Sequence, residues 1–296
     1  MAELADAYND NNVLFPLLRQ LGWDDLVNIG YFTLPTLPAF LAGTALFQRA
    51  LVRRSLALLD HAPGHRVLDA ACGRGYTTAQ LADAGCHTLG IDLQPQQIDF
   101  ARRRFGNRPR ATFAVGDVTC LPRRAEGVSL DSGSIDRIHC LEAAFHFGPA
   151  GRRGFLTESY RLLRPGGRLV LVDLTWPHAA RQTLPDLDTQ RLVRDAWQFE
   201  QFETLERYID YATAAGFDVH PPVDWTRPVL RRSARLIGLA GLLASSDIGR
   251  HVYRWRWPAL AGLTHQQWQE IAVLARAHQV IGRVGGYHAL ICDKPR

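Results

Sequence analysis

The sequence lacks the features that mark membrane, secreted and zinc-binding proteins. Its longest apolar run, residues 34–47, has 14 residues including two prolines, too few to span a bilayer. The first ten residues, MAELADAYND, are acidic where a signal peptide requires basic side chains. The five cysteines form no C-x-x-C pair and no zinc-ligand spacing, which indicates reduced thiols. We therefore expect a cytoplasmic protein without a membrane span or a metal site.

An excess of basic over acidic residues is confined to one segment. The whole chain has a net charge of +5, and its 47% apolar and 21% charged residues are typical of a globular protein. Residues 227–283 contain nine arginines and two acidic residues, a net charge of +7, so the rest of the chain carries −2. The basic charge therefore calls for an explanation that is local to this segment.

Short apolar runs alternate with helical patterns from residue 65 onward. This alternation of strand and helix is typical of a doubly wound α/β sheet. The apolar runs are residues 66–71, 87–92, 111–117, 136–143 and 168–174.

The flanking segments differ from this core. Helical patterns are present in residues 11–23, 44–60 and 227–283. Residues 217–225 contain two prolines, which favour an edge strand, and a last strand is predicted near 287–295. We predict a Rossmann-like sheet of seven strands whose last strand is antiparallel. The predicted parts are an N-terminal helical cap (1–60), the core (61–226), a helical insert that completes the cap (227–283) and the last strand (284–296).

The stretch 67-VLDAACGRGYTTAQL-81 joins the first strand to the first helix of the core. A dinucleotide fold requires G-x-G-x-x-G here, so that backbone amides face a pyrophosphate. Gly73 and Gly75 are present, but Thr78 replaces the third glycine, and the Asp69 carboxylate would repel a phosphate. S-adenosylmethionine has a sulfonium, an ammonium and no phosphate, so this turn favours it as the cofactor.

Polar residues end the next three apolar runs as well. Asp92 can accept hydrogen bonds from two ribose hydroxyls. Asp117 can accept from an adenine amino group while the N–H of the next residue, Val118, donates to the ring. His146 follows the fourth run. Each position alone has an ordinary explanation as a helix cap, a turn or a packed side chain, but ligands of open α/β sheets bind at these strand ends.

The block from residue 66 to 174 resembles a class I S-adenosylmethionine-dependent methyltransferase. VLDAACGRG, LGID, GDV and RLLRPGGRLVLVD resemble its successive motifs, although Ala71 stands where the first motif usually has glycine. The stretches 27-VNIGYF-32 and 141-LEAAFHF-147 are similar to small-molecule O- and C-methyltransferases of antibiotic pathways, including macrolide-sugar O-methyltransferases. The resemblance implies a catalytic pair, His146 and Glu142. The cofactor-binding residues that it implies are Tyr31, Asp69, Gly73, Gly75, Asp92, Leu93, Gln97, Asp117, Val118 and Leu141.

The expected reaction is methyl transfer to a hydroxyl, or to an activated carbon, of a small and largely apolar secondary metabolite. His146 would act as general base with an ordinary imidazole pKa, and Glu142 would orient the substrate or the cofactor. The simpler alternatives are a histidine packed between Phe145 and Phe147 and a surface carboxylate. Tyr31 would close over the methionine end of the cofactor, or it is a turn residue.

The tryptophans lie outside residues 24–175. We expect four of them, Trp197, Trp255, Trp257 and Trp268, to line or cover the acceptor pocket. The arginine-rich insert is a solvated face over that pocket, a docking face for an anionic or carrier-bound acceptor, or an RNA-binding surface.

Three readings of the function therefore remain. Besides methyl transfer, the chain is either a methyltransferase-fold enzyme that catalyses cyclisation with S-adenosylmethionine retained structurally, or an RNA-binding methyltransferase-like protein. LEAAFHF lacks the Asn/Asp-Pro-Pro-aromatic motif of base-amine methyltransferases, which disfavours nucleic acid. An oligomer is compatible with all three readings.

Overall fold

A computed structural model describes residues 26–33 and 43–296. The strands are β1 (Arg66–Ala70), β2 (His87–Asp92), β3 (Ala111–Val115), β4 (Arg124–Ala125), β5 (Val128–Ser129), β6 (Ile135–Leu141), β7 (Leu163–Trp176), β8 (Glu203–Thr204), β9 (Asp218–Val219), β10 (Val223–Asp224) and β11 (Gly286–Asp293). They form a central sheet with the order β3-β2-β1-β6-β7-β11-β10, with two short strands, β8 and β9, added to β7 and β11, and a separate pair of β4 with β5.

The strand directions confirm the predicted sheet. β1, β2, β3, β6 and β7 pair in parallel, whereas β11 is antiparallel to β7, β9 and β10. The chain runs outward from β1 to β3 and then returns to β6 on the other side of β1. This reversal creates a crevice at the carboxyl ends of β1 and β6, which is where open α/β sheets bind ligands.

The sheet is covered by apolar side chains on both faces. In β7, Leu169 and Leu171 belong to one apolar cluster, and Val170 and Val172 belong to another. Successive side chains of a strand point to opposite faces, so an uninterrupted apolar run is what a strand buried on both faces requires.

Helices flank the sheet, and those between β10 and β11 belong to the cap. The helices are α1 (Ala45–Leu58), α2 (Tyr76–Asp83), α3 (Pro95–Phe105), α4 (Gly148–Leu162), α5 (Leu184–Leu187), α6 (Leu192–Trp197), α7 (Leu205–Ala215), α8 (Arg232–Ser245), α9 (Asp247–Arg256) and α10 (His265–Val284). Short 3₁₀ turns lie at Ala144–His146 and Pro258–Gly262, and a π-helical turn lies at Thr226–Arg231.

The predicted helix at 11–23 lies outside the described residues, and α1 confirms the helix predicted over 44–60. The polar stretch 177–198, which showed no clear pattern in sequence, contains α5 and α6. The division into parts at residues 60, 226 and 283 stays a prediction. Across residues 26–33 and 43–296, every helix is too short or too polar to cross a bilayer.

Candidate functional site

The glycine-rich turn after β1 requires left-handed backbone. Gly73 and Gly75 have φ values of 51° and 82°, and a Cβ built on Gly75 would lie 2.7 Å from both Ala101 Cβ and Phe113 Cε1. Gly75 is therefore required both for its backbone angle and for close packing. Ala71 also has a positive φ, 54°, which costs an L-residue about 1 kcal/mol. The turn survives the loss of the usual glycine, as expected.

A first cavity of about 270 Å³ lies at the carboxyl ends of β1, β2, β3 and β6. Ten of the twelve residues predicted from sequence line it; of the other two, Gly75 packs beneath the turn. The ten are Asp69, Gly73, Asp92, Leu93, Gln97, Asp117, Val118, Leu141, Glu142 and His146.

Asp69 is buried and held by a chain of polar side chains that the sequence analysis missed. Its Oδ2 accepts a hydrogen bond from Thr78 Oγ1 at 2.6 Å, and its Oδ1 lies 3.2 Å from His139 Nδ1. His139 Nε2 lies 2.9 Å from Ser55 Oγ in α1. Asp69 is therefore oriented by β6 and α1 as well as by its own turn, and Thr78 replaces the expected third glycine with a useful donor.

Two further carboxylates line this cavity at strand ends. Asp92 accepts the N–H of Gly73 at 2.8 Å and the N–H of Gln94 at 2.9 Å, and burial raises its pKa. Asp117 Oδ1 accepts from the N–H and the hydroxyl of Thr119 at 2.8 and 2.7 Å. Carboxylate oxygens accept more than one hydrogen bond each, so both groups keep capacity for a ligand with donor hydroxyl or amino groups.

Two buried oxygens of the cavity lining have no hydrogen-bond partner among the residues that the structure describes. Gln97 Oε1 and Asn28 Oδ1 make no hydrogen bond in the described part of the chain, and both side chains are more than nine-tenths buried. Buried acceptors of this kind are costly unless a ligand or water supplies a donor. Adenosyl and ammonium groups are rich in donors, so the lining fits S-adenosylmethionine. Asn28 was not predicted as a site residue, although it lies within the quoted stretch VNIGYF.

Glu142 stands at the boundary between this cavity and a second one. Its φ is 52°, a left-handed value that is rare for this residue type. Its carboxyl group accepts the N–H of Ile29 at 3.0 Å and the hydroxyl of Tyr287 at 2.6 Å. Burial raises the pKa of Glu142 to about 8, although these two donors favour the ionised form. Glu142 is therefore a weak acid with a fixed position, and the alternative of a surface carboxylate is wrong.

His146 lies in the 3₁₀ turn that follows β6. Its ring contacts the Phe145 ring, with centroids 3.9 Å apart and planes inclined by 35°, and it also lines the first cavity. Burial lowers the pKa of His146 to about 4, and the nearby Arg152 guanidinium acts in the same direction. The expectation of an ordinary imidazole pKa is therefore wrong, because the sequence does not reveal how deeply this ring is buried.

Tyr31 does not line the first cavity. Its ring packs edge-on against Trp225 at 5.8 Å, and the Arg54 guanidinium lies 4.2 Å from the ring centre. The Tyr31 N–H donates to the carbonyl of Phe47 at 2.8 Å. These contacts fasten the segment that contains Asn28 and Ile29 against α1. Closure of Tyr31 over a cofactor stays a prediction.

A second cavity of about 220 Å³ lies beneath α8 and α10. Its lining is almost entirely apolar, and no lysine or arginine of the described residues contributes to it. His278, one of its few polar members, accepts a hydrogen bond from Trp197 Nε1 at 2.6 Å and donates one to the Leu274 carbonyl at 2.7 Å. Glu142 lines both cavities and is the acidic group of the second.

The four cap tryptophans divide into three groups. Trp197 lines the second cavity as predicted. Trp257 and Trp268 are buried in the apolar cluster behind it. The prediction is wrong for Trp255, which is 77% exposed, because the opposite face of its helix is the one that packs inward.

Comparisons with known proteins indicate the class of enzyme. Residues 67–167 match the methyltransferase domain family. The chain is 29% identical to the O-methyltransferase cnsE of Penicillium expansum, over 76% of each protein.

Two solved structures share the fold. One is the geranyl diphosphate C-methyltransferase of Streptomyces coelicolor A3(2), in complex with Mg²⁺, geranyl-S-thiolodiphosphate and S-adenosyl-L-homocysteine. It matches with a TM-score of 0.72 and 17% identity, over 99% of this chain and 96% of that one. The [4+2]-cyclase SpnF matches with a TM-score of 0.68 and 19% identity, over 96% and 93%. The matched domain and the named relative support the assignment of this chain to the class I S-adenosyl-L-methionine-dependent methyltransferases.

Proposed function

We propose that this enzyme transfers a methyl group to a hydroxyl, or to an activated carbon, of a small and largely apolar secondary metabolite. The observation that supports this proposal is the meeting of two unlike cavities at Glu142. The first is lined by carboxylates and amides that suit the cofactor, and the second is lined by apolar side chains that suit the acceptor. The absence of lysine and arginine from the described lining of the second cavity favours an uncharged acceptor over an anionic one.

The residues of the first cavity divide between the parts of the cofactor. Asp92 would accept from the ribose hydroxyls, and Asp117 with the Val118 N–H would bind the adenine. Asp69 and Asn28 would face the positively charged methionine end. The cofactor brings a methyl group already activated on a sulfonium, so the work of the protein is to hold the acceptor in line with it.

Calorimetry tests this assignment. S-adenosylhomocysteine should bind and NAD should not. Asp92→Ala should weaken the binding by about 10- to 150-fold, since hydrogen bonds to charged groups contribute about 1.5–3 kcal/mol. Binding of NAD, or an unchanged affinity in the variant, would contradict the placement of the cofactor.

Two groups could take the proton from an acceptor hydroxyl. The sequence favours His146, but an imidazole with a pKa near 4 is a weak base. Glu142 has a pKa of about 8, close to the pH at which a general base is most effective, and it lines both cavities. We therefore propose Glu142 as the general base, with His146 as the alternative.

The pH dependence of turnover separates these two assignments. If Glu142 is the base, turnover should rise with pH up to about 8, and Glu142→Gln should lower it by about 10²–10⁴-fold. His146→Ala should then keep most of the activity. A rate that is flat above pH 5 and is lost in His146→Ala would assign the base to His146. The affinity for S-adenosylhomocysteine should change little in either variant.

Cyclisation with a retained cofactor is the second candidate. It is supported by the shared fold with the cyclase SpnF and by a largely apolar second cavity next to a weakly basic histidine. Release of S-adenosylhomocysteine during turnover distinguishes the two reactions, because methyl transfer produces one molecule for each product and cyclisation produces none.

A further inference from the structure

Five exposed apolar side chains lie on the outer faces of α8 and α9. Ile248, Val252 and Trp255 are spaced four and three residues apart and so share one face of α9. Ile248 is 80% exposed and Trp255 is 77% exposed. Leu239 and Leu242 form a similar pair on α8, where Leu242 is 66% exposed. We call these five residues the outer stripe.

The exposure of the outer stripe follows from specific packing on the inner face of α9. Tyr253 is buried, its hydroxyl donates to the Ala240 carbonyl at 3.0 Å, and its ring stacks on Trp268 with centroids 5.3 Å apart. Arg250 is buried as well and donates to the Ala244 carbonyl at 3.1 Å. A rotation that buried the stripe would break these contacts, so α9 presents apolar residues to the surface in a fixed orientation.

The two helices that carry the outer stripe have a net positive charge. Arg235, Arg254 and Arg256 are exposed on the same two helices. The acidic residue of α8 and α9 is Asp247, and its carboxylate is bound by Arg250 at 2.5 Å. An apolar face with an exposed tryptophan, bordered by arginines, is complementary to the surface of an anionic bilayer.

We propose that the outer stripe and its bordering arginines dock this enzyme on an anionic lipid surface. Two copies of the chain would bring like charges together across a shared stripe, which disfavours self-association. RNA is disfavoured because four of the five stripe residues are aliphatic and offer no stacking surface.

Docking does not depend on the proposed reaction. The inner face of α8, at Ala234, Ile237 and Ala240, lines the second cavity, so a docked enzyme would hold that cavity close to dissolved apolar molecules.

Co-sedimentation of the full chain with lipid vesicles tests the proposal in the absence of cofactor and acceptor. We expect binding to vesicles that contain phosphatidylglycerol, and weaker binding to pure phosphatidylcholine or at high salt. Arg235→Gln with Arg254→Gln should lower partition into anionic vesicles by about 30-fold. Ile248→Ser with Trp255→Ser should lower it by at least about tenfold.

Val273→Ser is the matched control. Val273 is 52% exposed, but it lies on α10, and its loss should leave partition unchanged. An unchanged affinity for S-adenosylhomocysteine verifies that each variant is folded. The proposal would be overturned if the wild type did not bind the vesicles, or if Ile248→Ser with Trp255→Ser bound them as well as the wild type does. It would also be overturned if the stripe were required for self-association or for RNA binding while the protein did not bind vesicles.

Discussion

At the scale of single residues, Glu142 links stability to pH. Because its pKa is raised from 4.5 to about 8, the folded protein holds a proton that the unfolded chain releases between these values. The stability that this proton contributes is complete below pH 4.5 and is lost as the pH rises through 8. The change is on the order of 1 kcal/mol per pH unit.

Urea unfolding of the wild type and of Glu142→Gln at several pH values measures this effect. The neutral amide cannot ionise, so the variant should gain stability relative to the wild type as the pH rises from 5 to 8. Glu206→Gln is the control, since Glu206 is exposed. Parallel curves for the wild type and Glu142→Gln would show that Glu142 is ionised in the folded protein at neutral pH.

Replacing Asn28 with an apolar residue should maintain or raise the stability of the free protein and weaken cofactor binding. Asn28→Leu removes a buried oxygen that has no partner within residues 26–33 and 43–296, so the free protein should be as stable as the wild type or more stable. If that oxygen binds the cofactor, the affinity for S-adenosylhomocysteine should fall by at least about tenfold. Thermal unfolding and calorimetry measure the two effects.

Thr88 provides the matched control for Asn28. Its hydroxyl is also buried and has no partner in the described part of the chain, but Thr88 does not line the first cavity. Thr88→Val should therefore leave the affinity unchanged. Equal affinities in both variants would remove Asn28 from the cofactor site.

Residues that follow a strand directly could be predicted from sequence, because parallel strands end at one edge. Asp69, Asp92 and Asp117 were found in this way. Asn28, His139 and Tyr287 were missed by this rule, because none of them follows a parallel strand: His139 lies within β6, Tyr287 lies in the antiparallel β11, and Asn28 precedes α1. The pKa values of Glu142 and His146 could not be predicted either, because they depend on burial by the whole fold.

At the scale of elements, Arg152 of α4 supports the turn that contains His146. It is fully buried and donates to the carbonyls of Ala144 at 3.0 Å, Phe145 at 3.0 Å and Gln201 at 2.7 Å. Its guanidinium also lies 3.4 Å from the buried Glu203 carboxylate. One side chain thus connects the 3₁₀ turn to the segment before α7.

Arg152→Leu should destabilise the fold by about 3–5 kcal/mol, because it leaves a buried carboxylate and three carbonyls without their donor. Arg153→Ala is the control: this neighbour is exposed, and its loss should cost less than about 0.5 kcal/mol. Denaturant unfolding measures both. A small effect of Arg152→Leu would mean that the turn is held by its apolar contacts.

Periodicity predicted the elements of the core and the helical character of residues 227–283, but not which face of α9 packs inward. β7 is recognisable because every residue from Leu169 to Val172 is apolar, as a strand buried on both faces requires. In α9 the same rule would place Ile248 and Val252 inside. The inner positions are taken by Arg250 and Tyr253, whose buried polar atoms find carbonyl partners that only the folded cap provides.

At the scale of the whole molecule, small residues allow the cap helices to approach each other and leave the second cavity beside them. A Cβ built on Gly241 would lie 2.7 Å from Ala275 Cβ, and one built on Gly282 would lie 2.8 Å from Ala234 Cβ. These four residues also line the cavity. The sequence analysis predicted an apolar acceptor pocket lined by four tryptophans. The positions of aromatic residues in the sequence do not show which of them line a cavity and which pack in the core behind it.

Filling this cavity separates acceptor binding from cofactor binding. Ala240 lines the second cavity and not the first. Ala240→Phe should occupy the space that the acceptor needs, at a cost of about 1–3 kcal/mol in folding stability. We expect turnover to fall by at least about a hundredfold while the affinity for S-adenosylhomocysteine stays unchanged. Val273→Phe, a substitution of the same kind on the exposed face of α10, should leave both unchanged. Full turnover in Ala240→Phe would show that the acceptor binds elsewhere, and a parallel loss of cofactor affinity would show that the two cavities form one site.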